Sequence, residues 1–149
     1  MTLNDICTLN VAYCGRDTNL IEAAVLMRQH HTGTLVVVDD PQDDRTPAGI
    51  VTDRDIVVEA LANELNPAST SVARIMGAKL VIGSTADTLA DAIERLRQHG
   101  VRRLPVVDRA GHLTGIVTLD DVLTLQAKVA AALAEIVSKE QTHEQRARR

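Results

Sequence analysis

The sequence predicts an α/β fold in which two copies of one structural unit pack as a pseudo-two-fold pair. Three observations predict it: a repeat within the chain, apolar residues at helical spacing in each copy, and two short Val/Leu-rich strands after each helix. Each copy holds about 60 residues, too few to cover both faces of its own strands. We therefore expect the copies to pack sheet against sheet, with the helices outside.

The repeat can be followed residue by residue along the chain. Two segments of the first copy match segments of the second at one constant difference in residue number. A third segment also matches, at a smaller difference, because the turn at 40–48 in the first copy is longer than its counterpart. A match that stays in register over this length indicates a duplicated unit. The matching segments are 19–30 with 88–99, 35–39 with 104–108, and 49–52 with 115–118.

Each copy is predicted to contain a helix, a strand, a polar turn, a second strand and a second helix. In the first copy Leu20, Ala23 and Met27 share one helical face, and Asn19 stands at the position of an N-cap. A segment with Pro and Ser at 66–71 is a natural linker between the copies. The predicted boundaries are 7–66 for the first unit, 75–132 for the second and 133–149 for a C-terminal helical tail.

Composition limits the partners that the chain can have. There is no Phe or Trp and a single Tyr, Tyr13, so a planar ligand would have to lie between aliphatic side chains. The formal net charge of −4 argues against nucleic acid, which normally meets a basic surface. We see neither a signal peptide nor a membrane span and expect a cytoplasmic protein. Cys7 and Cys14 are expected as reduced thiols, although a disulfide between them is an alternative.

The motif Thr-x-x-Asp follows the second strand of both copies, as Thr52 to Asp55 and as Thr118 to Asp121. One interpretation is a capping box, which satisfies backbone N–H groups at the start of a helix. The other is a ligand site, because a helix N-terminus suits a phosphate and a carboxylate there can hold a ribose diol. Both interpretations use the same geometry and stay open at this point.

The two copies resemble tandem cystathionine-β-synthase (CBS) domains. The resemblance is carried by LVVVD and GIVTDRD in the first copy and by LPVVD and GIVTLDD in the second, and it covers about residues 7 to 132. It implies two β-α-β-β-α repeats that form a regulatory pair, usually a homodimer, with AMP, ADP, ATP or a related adenosyl ligand between the repeats. The residues implied are Thr52, Asp55, Thr118 and Asp121 for ribose and phosphate, with Val11, Tyr13, Val81 and Gly83 along the adenine.

The two copies differ beside the aspartate that they share at the end of the motif. Arg54 stands in the first copy where Asp120 stands in the second, so we expect the first cleft to attract a phosphate better. Arg102 and Arg103 can add positive charge to a site, or they can be a solvated basic pair.

No catalytic residues and no metal site are predicted. His30, His31 and His99 lie at helix ends, where they suit the negative end of the helix dipole. The expected function is a stand-alone sensor of an adenine nucleotide that signals to a protein partner. The alternative is a structural dimerisation module without a physiological ligand. An apolar stripe in the tail (Val129, Leu133, Ile136 and Val137) is expected either to pack on its own repeat or to extend a dimer contact.

Overall fold

The structure, a computed structural model, describes residues 1–43, 45–77 and 79–149. It confirms the predicted fold class, with two three-stranded sheets and flanking helices. Two compact units, Met1–Val117 and Thr118–Arg149, make up the chain. The elements are α1 (Leu3–Ile6), β1 (Tyr13–Gly15), α2 (Leu20–His30), β2 (Thr34–Val38), β3 (Pro47–Thr52), α3 (Asp53–Asp55) continued by a π-helical segment (Ile56–Leu61), α4 (Val72–Ile75), β4 (Gly83–Ser84), α5 (Leu89–His99), β5 (Arg103–Val107), β6 (Leu113–Thr118) and α6 (Leu119–Ala147).

The first sheet has the order β1-β2-β3, with β1 parallel and β3 antiparallel to the central strand β2. All five residues of β2 are buried. Leu35 and Val37 pack into a core with Leu20 of α2, whereas Val36 and Val38 face a second apolar cluster. A central strand covered on both faces explains the unbroken apolar run in the sequence.

The second sheet repeats this order as β4-β5-β6, but its first strand is shorter. In the first copy the Val36 N–H donates to the Ala12 carbonyl at 3.1 Å. The equivalent residue of the second copy is Pro105, which has no N–H to donate. Pairing of β4 with β5 therefore begins only at Gly83, opposite Val106.

The two repeats exchange their leading segments. Helix α1, at the start of the chain, packs on the second repeat, where the Leu3 N–H donates to the Asp87 carbonyl at 2.8 Å. The Leu3 side chain is fully buried and lies over Gly83. Helix α4, which precedes the second repeat, packs in the same way into the first core through Val72 and Ile75. Each core is thus completed by residues that precede the other repeat in sequence.

The two sheets meet at a backbone junction in the unit Met1–Val117. Thr8 and Ile116 exchange N–H···O bonds of 2.9 and 3.0 Å, and the Leu113 N–H donates to the Arg45 carbonyl at 2.9 Å. Leu113 also packs with Val36 and Val38 of β2, on the face that does not point toward α2. This agrees with the expected packing of sheet against sheet.

Helix α6 forms the second unit almost by itself. It is one continuous helix of 29 residues, so the predicted tail helix continues the last helix of the second repeat. Val122 is its buried residue, and the stripe from Val129 to Val137 is exposed.

We predict that Gly115→Ala lowers the free energy of unfolding by about 1 to 3 kcal/mol, the usual cost of overpacking. A Cβ at Gly115 would lie 2.6 Å from the Cys7 Sγ and 2.9 Å from the Thr8 carbonyl oxygen, at the junction of the two sheets. Gly77→Ala is the matched control, because no atom lies within 4 Å of its added Cβ. Urea unfolding measures both variants, and equal stability of the two would contradict the prediction.

Candidate functional site

The end of β3 holds the motif that the sequence singled out. The Asp55 N–H donates to the Thr52 Oγ1 at 3.1 Å, and the Thr52 N–H donates to the Asp55 Oδ2 at 2.9 Å. Both halves of a capping box are present, which is the structural interpretation of the motif. The box fixes the Asp55 carboxylate at the start of α3, directly before the π-helical segment.

Asp55 reaches a cavity of about 250 Å³, which we name the Asp55 cavity. Residues of both repeats line it: β3 and α3 contribute from the first repeat, and the segment before β4 and the start of β5 contribute from the second. The lining residues are Ile50, Asp55, Gly77, Lys79, Leu80, Val81, Val101, Arg102 and Arg103.

The walls of the Asp55 cavity combine aliphatic surface with charge. Among the described residues that line it, four have branched aliphatic side chains, three (Lys79, Arg102 and Arg103) are cations, and Asp55 is the one carboxylate. Such a cavity can hold a flat apolar group between aliphatic walls and an anionic group beside the cations. A carboxylate at the same place can accept hydrogen bonds from hydroxyl groups.

A larger and more polar cavity of about 630 Å³ adjoins the first one, and we name it the Arg74 cavity. The two share Asp55 and Gly77. Besides Arg74, it is lined by Glu59 and Asn63, whose Nδ2 donates to the Glu59 carbonyl at 2.9 Å. The adjoining cavity gives a ligand of the Asp55 cavity room to extend.

The structure gathers some of the predicted site residues and separates others. Arg102, Arg103 and Val81 line the Asp55 cavity with Asp55, and Thr52 supports that carboxylate through the cap. Within the described part of the chain, Arg54 is not among the lining residues, so the cations there differ from the one that the sequence favoured.

The remaining predicted residues lie elsewhere. Gly83 lies beneath the Leu3 side chain, and a Cβ added at Gly83 would lie 2.8 Å from the Leu3 Cδ1. Thr118 and Asp121 form a capping box at the start of α6, with the Asp121 N–H donating to the Thr118 Oγ1 at 3.2 Å. The motif therefore caps a helix in both copies.

Val11 and Tyr13 line a third cavity, of about 290 Å³, at the junction of the sheets. The Arg45 guanidinium lies 5.4 Å from the centre of the Tyr13 ring, within range of a cation–π contact. Asp108 lies at the same cavity, and the backbone N–H of His112 that donates to its carboxylate holds its pKa below the usual value.

Sequence reasoning missed Lys79 and Arg74. Both belong to the stretch that joins the repeats, between the predicted boundaries or just beyond them, where the two copies show little similarity. For Lys79 the sequence offered one indication, its position two residues before Val81, which was predicted to border the adenine. Arg74 had no such signal, because its place depends on the exchange of α4.

Among the residues that the structure describes, no group of three or more His, Cys, Asp or Glu could hold a metal ion. None of the described helices is long and apolar enough to cross a membrane.

The fold defines the chain as a tandem repeat module with a cavity between its repeats. The sequence model of the CBS domain matches it twice, at residues 3–61 and 72–128. The chain belongs to the CBS domain family, as the sequence motifs predicted.

Among curated relatives, the CBS domain-containing protein YhcV of Bacillus subtilis is 36% identical over 125 residues, which cover 84% of this chain and 85% of YhcV. The uncharacterized protein MK0525 of Methanopyrus kandleri is 32% identical over 119 residues. These cover 80% of this chain but 59% of MK0525, so the chain matches little more than half of that protein.

Among solved structures, Hypoxic Response Protein I with two coordinated zinc ions superposes with a TM-score of 0.73 and 31% identity, over 83% of this chain and 98% of that one. The CBS domain protein PAE2072 of Pyrobaculum aerophilum, complexed with AMP, superposes with a TM-score of 0.71 and 21% identity. The superposition covers 81% of this chain and 89% of PAE2072, and a similarity at this sequence identity shows the fold alone.

We predict that Thr52→Ala lowers the free energy of unfolding by about 1 kcal/mol, because the Asp55 N–H loses its side-chain acceptor. Thr118→Ala should cost a similar amount at the equivalent cap. Thr142→Ala is the control, since this exposed hydroxyl donates only to the carbonyl of Ser138 one helical turn earlier. Urea unfolding gives all three values, and a Thr52→Ala chain as stable as the control would show that the cap contributes nothing.

Proposed function

We propose that this protein is a non-catalytic regulatory module that binds an adenine nucleotide in the Asp55 cavity and signals its presence to a protein partner. The observation that carries the proposal is the composition of that cavity: one carboxylate, four aliphatic side chains and three cations, contributed by both repeats. AMP, ADP, ATP and related adenosyl compounds form the ligand class. For such a sensor the compartment would be the cytoplasm, where adenine nucleotides are made and consumed.

The aliphatic walls suit the base. Ile50 of the first repeat and Leu80, Val81 and Val101 of the second present branched side chains to the same space. Adenine would lie between them, because burial of its flat faces removes apolar surface from water and needs no aromatic partner. The backbone of the segment 79–81 would offer N–H and C=O groups to the edge of the base.

The carboxylate suits the ribose. The cap uses the Asp55 Oδ2, so a ribose diol would donate to the Oδ1 of the same side chain. Hydrogen bonds to an ionised acceptor are stronger than neutral ones. Because the cap and the diol would use different oxygens, Asp55 can serve as a structural residue and as a ligand contact together.

The cations suit a phosphate. Lys79, Arg102 and Arg103 lie at the same cavity as Asp55, and Arg74 lies in the adjoining one. A 5′ substituent extending from the ribose would reach positive charge in either direction. The structure of PAE2072 with AMP supports the proposal to the extent that the same fold holds an adenine nucleotide in another protein.

The segment after Asp55 offers a way to transmit binding. It is π-helical from Ile56 to Leu61. The π-helix is rare in proteins overall, and where it occurs it is frequently at a functional site. This segment exposes apolar side chains to solvent: Val57 is 55% exposed and Leu61 is 71% exposed. A ligand with different affinities for two arrangements of this segment would shift their populations and so change the surface that a partner meets.

We predict that millimolar AMP, ADP or ATP raises the melting temperature, while GMP and inorganic phosphate have a smaller effect. A ligand at 100 times its dissociation constant adds about 2.7 kcal/mol to stability by mass action. Asp55→Ala should cost about 1 kcal/mol as a lost cap partner and remove most of the nucleotide-induced shift. Thermal unfolding with and without each nucleotide measures both effects.

Two variants separate the roles of Asp55. Asp55→Asn keeps an oxygen that can accept from the Thr52 N–H but loses the charge, so it should retain stability and still lose binding. Asp121→Ala, at the equivalent cap, should cost similar stability and less binding. Equal loss of binding in the two alanine variants would contradict the asymmetry of the clefts. Absence of a shift with every adenine compound would contradict the proposal.

One observation favours the second candidate function, a structural dimerisation module. Both Thr-x-x-Asp motifs form complete capping boxes, so the fold itself accounts for all four residues without any ligand. Mass spectrometry of small molecules released from the purified protein separates the two functions, because only a sensor would carry an adenine compound through purification.

We also propose that the chain is a homodimer formed by two repeat pairs. Helices α2 and α5 present apolar side chains to solvent, with Ile21 48%, Val25 47% and Ile93 39% exposed. Light scattering should give at least twice the chain mass of 16.1 kDa. Val25→Glu should weaken the dimer, whereas Val58→Glu, at a residue of similar exposure in the π-helical segment, should not. A mass of one chain at tens of micromolar, about the range where weak dimers form, would contradict the proposal.

A further inference from the structure

Helix α6 carries exposed apolar side chains in its middle part, from Val129 to Val137. Its 29 residues extend about 43 Å at 1.5 Å per residue. Val129 is 46% exposed, Leu133 59%, Ile136 61% and Val137 54%. In proteins most of the stability of a helix comes from packing its apolar face against a neighbour, so a helix with an exposed apolar face fits a partner.

The spacing of the stripe fits a helix partner. Val129, Leu133 and Ile136 follow one another at intervals of four and three residues, the alternation of a coiled-coil seam. Small residues border the seam, with Ala130 on one side and Ala132 on the other. Small flanking side chains let two helix backbones approach closely. The partner that this face fits is therefore another helix with the same pattern.

The charges of α6 select an antiparallel second copy. The first turn is acidic, with Asp120 and Asp121, and the last turn holds Arg146, followed by Arg148 and Arg149. In a parallel pair, like charges would meet at both ends. In an antiparallel pair, the acidic start of one helix lies beside the basic end of the other, and the helix dipoles also oppose each other favourably.

The seam gives the same orientation and a register. Glu140 continues the seam one step beyond Ile136, and in a parallel pair it would face the same residue of the other copy. In an antiparallel pair centred on Leu133, Glu140 faces Gln126, which can donate a hydrogen bond to it. Val129 then faces Val137. The contact is self-complementary, as a two-fold interface requires.

We propose that α6 is a self-association surface: the stripe around Leu133 packs antiparallel on the same stripe of a second copy of this chain. This goes beyond the proposed function, because it names the contact, its orientation and its register and does not depend on a nucleotide. If nucleotide binding fails, the helix contact is unaffected. If the helix contact fails, a dimer through α2 and α5 is unaffected.

Directed cross-linking tests the orientation. Val129→Cys and Val137→Cys are made as separate single variants of the full chain. We expect an intermolecular disulfide when the two are mixed under oxidation, and none above the wild-type level when either is oxidised alone. The wild type controls for Cys7 and Cys14. Self-linking of each single variant would show a parallel pair, and no linkage in the mixture would show that the stripes do not meet; either result overturns the proposal.

A paired charge test measures the contribution of the stripe. In a Val25→Glu background, which weakens the contact through α2 and α5, Leu133→Glu with Ile136→Glu should raise the dissociation constant for self-association at least tenfold in sedimentation experiments. In the same background, Ala131→Glu with Ser138→Glu adds the same charge on the opposite face of α6 and should leave it unchanged. Thermal unfolding confirms that the repeats stay folded in both. Equal dissociation constants for the two variants would also overturn the proposal and point to a different partner for this face.

Discussion

The exchange of leading segments between the repeats is the constraint on which the rest of the unit Met1–Val117 depends. Helix α4 closes the first core with Val72 and Ile75, and its Val72 N–H bonds to the Thr18 carbonyl at 2.8 Å. Helix α1 closes the second core through Leu3, which is fully buried. Neither core is complete without residues that precede the other repeat. The two repeats are therefore one cooperative structure, and small size alone no longer limits their stability.

The same exchange places the candidate site. Once α4 has packed into the first repeat, the chain must return to the second sheet, and the segment that does so includes Gly77, Lys79 and Val81. All three line the Asp55 cavity, opposite the carboxylate that the Thr52 cap holds in place. A ligand there would touch the segment by which the chain passes from one core to the other. Occupancy would thus act on both repeats at once, and it would couple to a distant surface through any difference in the ligand's contacts between two states of the chain.

Much of the fold could be predicted because its signals are local. The caps at Asn19, Thr52 and Thr88 depend on residues three positions apart, and each is present in the structure. The repeat predicted the two strands that follow each helix, β2 and β3 in the first copy and β5 and β6 in the second. The partners of Leu3 and Arg74 could not be predicted in this way, because they depend on contacts between segments far apart in sequence. Arg54 shows the same limit. Its position beside Asp55 in sequence predicted that it would attract a phosphate, but the cations that line the Asp55 cavity are Lys79, Arg102 and Arg103.

The position of Tyr13 has a spectroscopic consequence. It is the sole aromatic residue among Phe, Trp and Tyr in the chain, and it lies beneath Arg45 where the two sheets meet. All intrinsic ultraviolet fluorescence of the protein therefore comes from one ring at one known place. A nearby guanidinium changes the surroundings of that ring, so emission would report on the junction with no label added. With one Tyr and no Trp or Phe, the protein absorbs little in the near ultraviolet, so the near-ultraviolet band of a bound purine would be almost unobscured.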